Sequence, residues 1–131
     1  MKMLILEDDV KVKSLVIEFI KEACTRNDLE ILWCTSIKKA YELQFVHRFD
    51  CQIVDVRVED GLSWDYIAKT KNSIRTLATS AHTTETKEKG VRFLSKPYSL
   101  IEFMKELSFL LDERSDFPEF EAIFSDYSKK Q

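Results

Sequence analysis

Two glycines and two prolines in 131 residues leave little material for a phosphate-cradling loop. Neither GxGxxG nor GxxxxGK(S/T) occurs, which excludes the nucleotide sites built on those patterns. The three cysteines, Cys24, Cys34 and Cys51, stand singly within apolar segments, with no CxxC pair and no Cys/His spacing. They read as reduced core thiols rather than metal ligands or a disulfide framework. No apolar run reaches the roughly 20 residues that cross a bilayer, and no signal-peptide pattern opens the chain. A cytoplasmic protein without a membrane partner is therefore expected. The formal charge of -3 argues against a nucleic-acid partner.

Apolar residues make up 44% of the chain, enough for the core of one domain. Five short apolar runs are predicted as buried strands, over residues 3–6, 29–34, 51–54, 74–79 and 91–95. Between them lie amphipathic stretches. Val12, Leu15, Val16, Phe19, Ile20 and Ala23 recur at steps of three and four, which predicts a helix that Asp8 or Asp9 could cap. Residues 37–47 and 62–71 are predicted helical, the latter with Trp64 and Ile67 inward. Ser99 and Glu102 form a capping box ahead of a last helix striped by Leu100, Phe103, Met104, Leu107, Leu110 and Leu111. Residues 83–89 are short, polar and charged, two turns of helix at best. Strand and helix thus alternate five times, the pattern of a doubly wound, mostly parallel α/β sheet. Residues 1–114 read as one domain, and 115–131 as a C-terminal amphipathic extension carrying Phe117, Phe120, Ile123, Phe124 and Tyr127.

The polar residues of interest fall at the carboxyl ends of these strands. Glu7 and Asp8 follow the first, Asp55 the third, Ser80 the fourth and Lys96 the fifth. In open α/β sheets that edge binds ligands. Each residue also has an ordinary reading: an acidic helix start, a turn former, a loop hydroxyl, a solvated lysine. As a set they carry a definite chemistry. Three carboxylates placed together raise one another's pKa unless a cation joins them. Mg²⁺ suits oxygen donors of this kind. A carboxylate can attack phosphorus, and a lysine can neutralise charge on the phosphoryl group as it moves.

The runs Leu-Ile-Leu-Glu-Asp-Asp, Ile-Val-Asp-Val, Thr-Ser-Ala and Leu-Ser-Lys-Pro, in that order, resemble the receiver domain of two-component response regulators over residues 2–113. The resemblance implies a flavodoxin-like, five-stranded parallel sheet of order 2-1-3-4-5. It implies that Asp55 accepts a phosphoryl group from a histidine kinase or phosphotransfer protein. Mg²⁺ would be held by Asp8 and Asp55, by the backbone carbonyl of Arg57, and by Glu7 through water. Lys96 would pair with a phosphate oxygen, beside a cis Lys96–Pro97 peptide. Ser80 would follow the phosphate by hydrogen bond, and Phe93 would change rotamer with it. Catalysis would extend only to the domain's own phosphorylation and dephosphorylation, and the signal would pass to an output protein that the sequence does not identify.

The chain departs from the family in two places. Val58-Glu59 stands where receivers carry a Met-Pro-like pair. The interval from Ser80 to Lys96 is shorter than usual, at the expense of the fourth helix. That degenerate helix belongs to the face through which the family usually signals and forms homodimers, so a homodimer through it is open to question. The aromatic extension could cover the surface left vacant. Arg57 and His82 lie where the resemblance puts the path of hydrolytic water, and are expected to lengthen the life of the phosphoryl group. The reading is therefore a stand-alone receiver. Its alternatives are a pseudo-receiver, the same fold acting as an interaction module without phosphorylation, and a phosphoaspartyl-type hydrolase. The hydrolase is disfavoured because no DxD pattern of the right form follows the first strand. A flavin binder is disfavoured by the acidic first loop.

Overall fold

A computed structural model describes residues 1–24, 27–82 and 88–111. The expected extension at 115–131, and residues 83–87 of the expected fourth helix, lie outside the described residues. Five strands form the main sheet: β1 (Lys2–Leu6), β2 (Glu30–Cys34), β3 (Cys51–Asp55), β6 (Arg75–Ser80) and β7 (Arg92–Ser95). Every pairing among them is parallel, in the order β2-β1-β3-β6-β7. Counting main-sheet strands alone, this is the expected order 2-1-3-4-5. The described helices are α1 (Val10–Ala23), α2 (Ile37–Val46), α3 (Trp64–Thr70) and α4 (Leu100–Leu111).

Successive side chains of a strand point to opposite faces, so each uncharged run feeds two cores. Met3, Ile5, Ile53 and Leu77 pack under Val16 and Ile20 of α1 and Phe103, Met104 and Leu107 of α4. Leu4, Leu6, Val54 and Ala78 pack under Ala40 of α2 and Tyr66 and Ile67 of α3. Phe19 meets Phe103 at 5.6 Å between ring centroids, which joins α1 to α4. Covered on both faces, β3 is buried at all five positions.

The helix starts follow their capping chemistry. Asp9, not Asp8, caps α1, accepting from the N–H groups of Lys11 at 2.8 Å and Val12 at 3.3 Å. Ser36 caps α2 by accepting from Lys39 N–H at 3.1 Å. Ser99 accepts from Glu102 N–H at 3.1 Å, and its hydroxyl meets the Glu102 carboxylate at 3.2 Å.

Three details differ from expectation. The segment read as a turn after Asp55 contains a small antiparallel ribbon, β4 (Arg57–Val58) and β5 (Gly61–Leu62). Gly61 has φ 128°, a conformation open to glycine and costly for other residues. Because the ribbon uses Leu62, α3 starts at Trp64. In α3 it is Tyr66 and Ile67 that are fully buried, whereas Trp64 is half-buried. Leu15, in the apolar stripe of α1, is 43% exposed and lines a surface groove with Pro97 and Tyr98 instead of packing in the core.

Candidate functional site

The loops after β1, β3, β6 and β7 converge at the carboxyl edge of the sheet. They enclose a cleft of about 240 Å³ lined by Glu7, Asp8, Asp9, Asp55, Arg57, Ala81, His82 and Lys96. Glu7 and Asp55 are buried at its floor, while Asp8 is exposed at its mouth. Asp9 is occupied by the α1 cap, which leaves the Asp8 carboxylate to face the cleft.

Lys96 spans the two buried acids. Its Nζ donates to Glu7 Oε1 at 2.6 Å and to Asp55 Oδ2 at 3.2 Å. The shorter bond goes to the more buried acid, since a charge out of water needs its partner most. Burial pushes the Glu7 carboxyl up, and the Asp55 charge adds to this, against the lowering effect of Lys96. Asp8 is raised by desolvation and then by the Glu7 charge. Burial would lower Lys96, but its bond to Glu7 and the two negative charges outweigh that and raise it. The site therefore holds more negative charge than one lysine neutralises. Carboxylate oxygens of Glu7, Asp8 and Asp55 lie within 4.8 Å of one another. An all-oxygen set of this size, with Glu7 and Asp8 raised, fits a hard divalent cation such as Mg²⁺.

The backbone around Asp55 is held from several sides. Ser63, fully buried, donates through Oγ to the Asp55 carbonyl at 2.7 Å and to the Val56 carbonyl at 3.2 Å. Val56 N–H donates to the Thr79 carbonyl at 2.8 Å, extending the β3–β6 pairing past the acid. Beyond it the ribbon turns back onto α2. Asp60 accepts from Ile37 N–H at 2.8 Å and Lys38 N–H at 3.1 Å, and Thr35 Oγ1 donates to Glu59 at 2.9 Å. Desolvation would raise Asp60, but these backbone bonds win and hold it below the usual carboxylate range. Val58-Glu59, the departure from the receiver pattern, thus belongs to a loop fastened to the start of α2.

A second tie lies lower in the same layer. Tyr66 OH donates to Gln52 Oε1 at 2.7 Å and accepts from Gln44 Nε2 at 2.8 Å. Gln52 Nε2 donates to Thr70 at 2.8 Å and Thr76 at 3.0 Å. This network joins β3 to both helices of that face.

Of the residues singled out in the sequence, Glu7, Asp8, Asp55, Arg57 and Lys96 come together in the cleft. Ser80 and Phe93 do not line it. Ser80 is buried one position before Ala81, its hydroxyl accepting from His82 N–H at 3.0 Å and its carbonyl from Lys96 N–H at 2.9 Å. Phe93 is half-buried against the core under α2 and α3. The Lys96–Pro97 peptide is cis. Arg57 and His82 both reach the rim of the cleft.

Three residues near the site were not singled out. Trp33 Nε1 donates to the Glu7 carbonyl at 2.7 Å, with Lys13 Nζ 4.3 Å above its ring. Ser63 bonds to the Asp55 carbonyl eight residues earlier, and Asp60 to the Ile37 N–H 23 residues earlier. Only the turn composition around Gly61 hinted at them. Beside the cleft, and sharing Ala81 and Lys96 with it, runs an apolar groove of about 340 Å³ between Val12 and Leu15 of α1 and Pro97 and Tyr98.

A doubly wound sheet with three acids and a lysine at its carboxyl edge defines the class. Within that class the fold is that of a response-regulator receiver domain. A two-component response regulator from Clostridium difficile is 18% identical, with a TM-score of 0.70 over 86% of this chain and 96% of its own. A response-regulator receiver domain from Methylobacillus flagellatus is 14% identical, with a TM-score of 0.68 over 83% and 97%. A chemotaxis protein of Vibrio cholerae is 17% identical, with a TM-score of 0.69 over 83% and 97%. No protein-family model matches the chain, and no curated protein matches it in sequence. The expected fold class is thus borne out, sheet order included. Among the described residues no helix is long and apolar enough to cross a membrane.

Proposed function

We propose that the chain is a phosphoacceptor domain of two-component signalling, modified on Asp55. The observation that carries this reading is the position of Lys96 between the Glu7 and Asp55 carboxylates, at the floor of a cleft that Asp8 also faces. An Asp55 oxygen attacks the phosphorus of a phosphohistidine. The new O–P bond forms as the P–N bond breaks, the imidazole leaves with that electron pair, and an acyl phosphate remains. Lys96 is placed to move from carboxylate to phosphate oxygen as charge builds there. Mg²⁺, held by Glu7, Asp8, Asp55 and the Arg57 carbonyl, would supply further charge neutralisation when bound. Ser80, one residue behind the cleft, is the hydroxyl available to meet a phosphate oxygen, and Phe93 is the aromatic that would repack with it.

The donor is a histidine kinase or phosphotransfer protein. Its docking ground is the Val12–Leu15–Pro97–Tyr98 groove, which is continuous with the acceptor cleft. The domain acts on no other substrate and passes its signal by binding an output protein.

Intact mass after incubation with Mg²⁺ and acetyl phosphate, or with a phosphohistidine donor, tests this. The expected result is a gain of one phosphoryl group, absent in Asp55→Asn and absent without Mg²⁺. No gain from either donor would sink the reading and leave the fold as a phosphorylation-independent interaction module.

A further inference from the structure

Glu7 and Asp8 are neighbours in the chain, so a single peptide plane joins these two acids of the cleft. Its carbonyl belongs to Glu7 and its N–H to Asp8. Because the peptide is planar, whatever holds the carbonyl also sets the direction in which the chain leaves Glu7 for Asp8. The donor to that carbonyl is the indole of Trp33, with Nε1 2.7 Å from the oxygen and 26 residues away in sequence.

The bond is made where the sheet ends. β1 and β2 run in register from Lys2 opposite Glu30 to Leu6 opposite Cys34. Glu7 N–H carries the pairing one step further by donating to the Cys34 carbonyl at 3.0 Å. The chain after β2 then turns away, with Thr35 bonded to Glu59 and Ser36 capping α2. The Glu7 carbonyl lies at the point where the ladder stops, and a side chain of β2 takes the place of the missing backbone donor.

The ring that carries this N–H is itself held. Trp33 packs against the core under α1 and α4, and Lys13 Nζ stands over its face at 4.3 Å from the centroid. Lys13 N–H donates to the Asp9 carbonyl at 2.9 Å, so the cation above the ring comes from the first turn of α1, directly after the acids. Glu7 is thereby fixed at four atoms: N–H by Cys34, carbonyl by Trp33, Oε1 by Lys96 at 2.6 Å and Oε2 by Asp9 N–H at 3.2 Å. Asp8 is exposed at the mouth, and the peptide it shares with Glu7 sets where its carboxylate stands.

We propose that Trp33 is a positioning residue for the cation site, its indole N–H orienting the Glu7–Asp8 peptide so that both carboxylates serve the same ion as Asp55. This role rests on the reading of the cleft as a Mg²⁺-dependent phosphoacceptor site. Packing alone does not require it, since a phenyl ring would also fill apolar space beneath Lys13. Groups that hold metal ligands from behind commonly change metal affinity by about 10–100-fold.

Trp33→Phe keeps an aromatic ring and removes the N–H donor. Mg²⁺ titration of the full chain, followed by the amide NMR shifts of Asp8 and Asp55, is expected to give a Kd about tenfold above wild type. In the metal-free proteins, amide exchange at Asp9, whose N–H is bonded to Glu7, is expected to quicken several-fold relative to Ile53 and Val54 of β3. Denaturant melts of the same proteins separate this from a loss of stability. A wild type that binds Mg²⁺ and a Trp33→Phe variant that binds it equally well would overturn the proposal, whatever the melts show, and leave Trp33 a packing residue. A wild type whose Asp8 and Asp55 signals do not respond to Mg²⁺ would instead overturn the reading of the cleft, and the role of Trp33 with it.

Discussion

Asp60 accepts a 2.8 Å hydrogen bond from the backbone N–H of Ile37, so the loop that follows Asp55 forms part of the cap of α2. With the Lys38 N–H also bound, the two free donors that Ser36 does not reach are satisfied by a carboxylate from another element. Gln44 at the other end of α2 is bonded to Tyr66, and Tyr66 to Gln52 of β3. The helix is therefore fastened at both ends to the surroundings of Asp55.

Asp60→Ala is expected to cost about 1 kcal/mol, the value of a lost cap. For a domain of this size that lowers Tm by roughly 4 °C. Amide exchange at Ile37 and Lys38 should accelerate while the α4 amides stay unchanged. Equal exchange at 37 and 38 in both proteins would refute the tie.

Lys96→Met leaves Glu7 and Asp55 facing each other without a cation. Breaking a buried pair from one side is costly, here up to about 3 kcal/mol because the site opens onto a cleft. Denaturant melts without divalent ions should show the loss, and added Mg²⁺ should recover part of it by binding the folded state. A variant as stable as wild type in both conditions would contradict this account of the site.

Leu15→Asp places a charge in the apolar groove beside the cleft and touches no acid of the site. Phosphotransfer from a protein donor is expected to slow at least tenfold, while phosphorylation by acetyl phosphate stays at the wild-type rate. A uniform loss with both donors would show that the substitution damages the site rather than the docking ground.

Arg57 and His82 stand at the rim of the cleft, over the approach to Asp55. Their removal opens a route for water. The phosphoryl group is expected to decay several-fold faster in Arg57→Ala and His82→Ala. Equal half-lives in all three proteins would dismiss the shielding role.

Cys34 lies buried at the end of β2, and burial pushes its thiol up to about 11 from 9.0, against smaller lowering effects of the Ser36 N–H and Lys39. The folded state therefore holds this proton longer than the unfolded chain does. Stability is intact below about pH 9 and is lost as the pH rises towards 11, by roughly 3 kcal/mol at the top of that window. Urea melts of Cys34→Ala across the same range should fall less steeply. Parallel curves would remove Cys34 as the cause.

The five main strands were legible because each is a mostly apolar run, with at most one charge, too short for a helix and bounded by polar residues. The acids and Lys96 were legible for a related reason: they end those runs, and parallel strands bring their carboxyl ends to one edge. The β4–β5 ribbon was not, since two-residue strands have no periodicity to read. Nor was the role of Asp60, whose partners lie 22 and 23 residues earlier. Leu15 shows the limit of a stripe: spacing assigns a helix face, but the neighbouring element decides how much of that face is covered. Gln52 sits within a strand read as wholly apolar in character, and its network depends on Tyr66, which the helical pattern passed over in favour of Trp64.

The indole of Trp33 is hydrogen-bonded to the Glu7 carbonyl and lies under the Lys13 ammonium, one strand away from the acid cluster. Tryptophan emission responds to just such nearby charges and bonds. The protein thus carries its own optical probe bonded to the backbone of a cleft residue, with Trp64 as the only other tryptophan in the chain. In a Trp64→Phe background, ion titration and phosphorylation can be followed in real time by fluorescence alone, with no dye and no radioisotope.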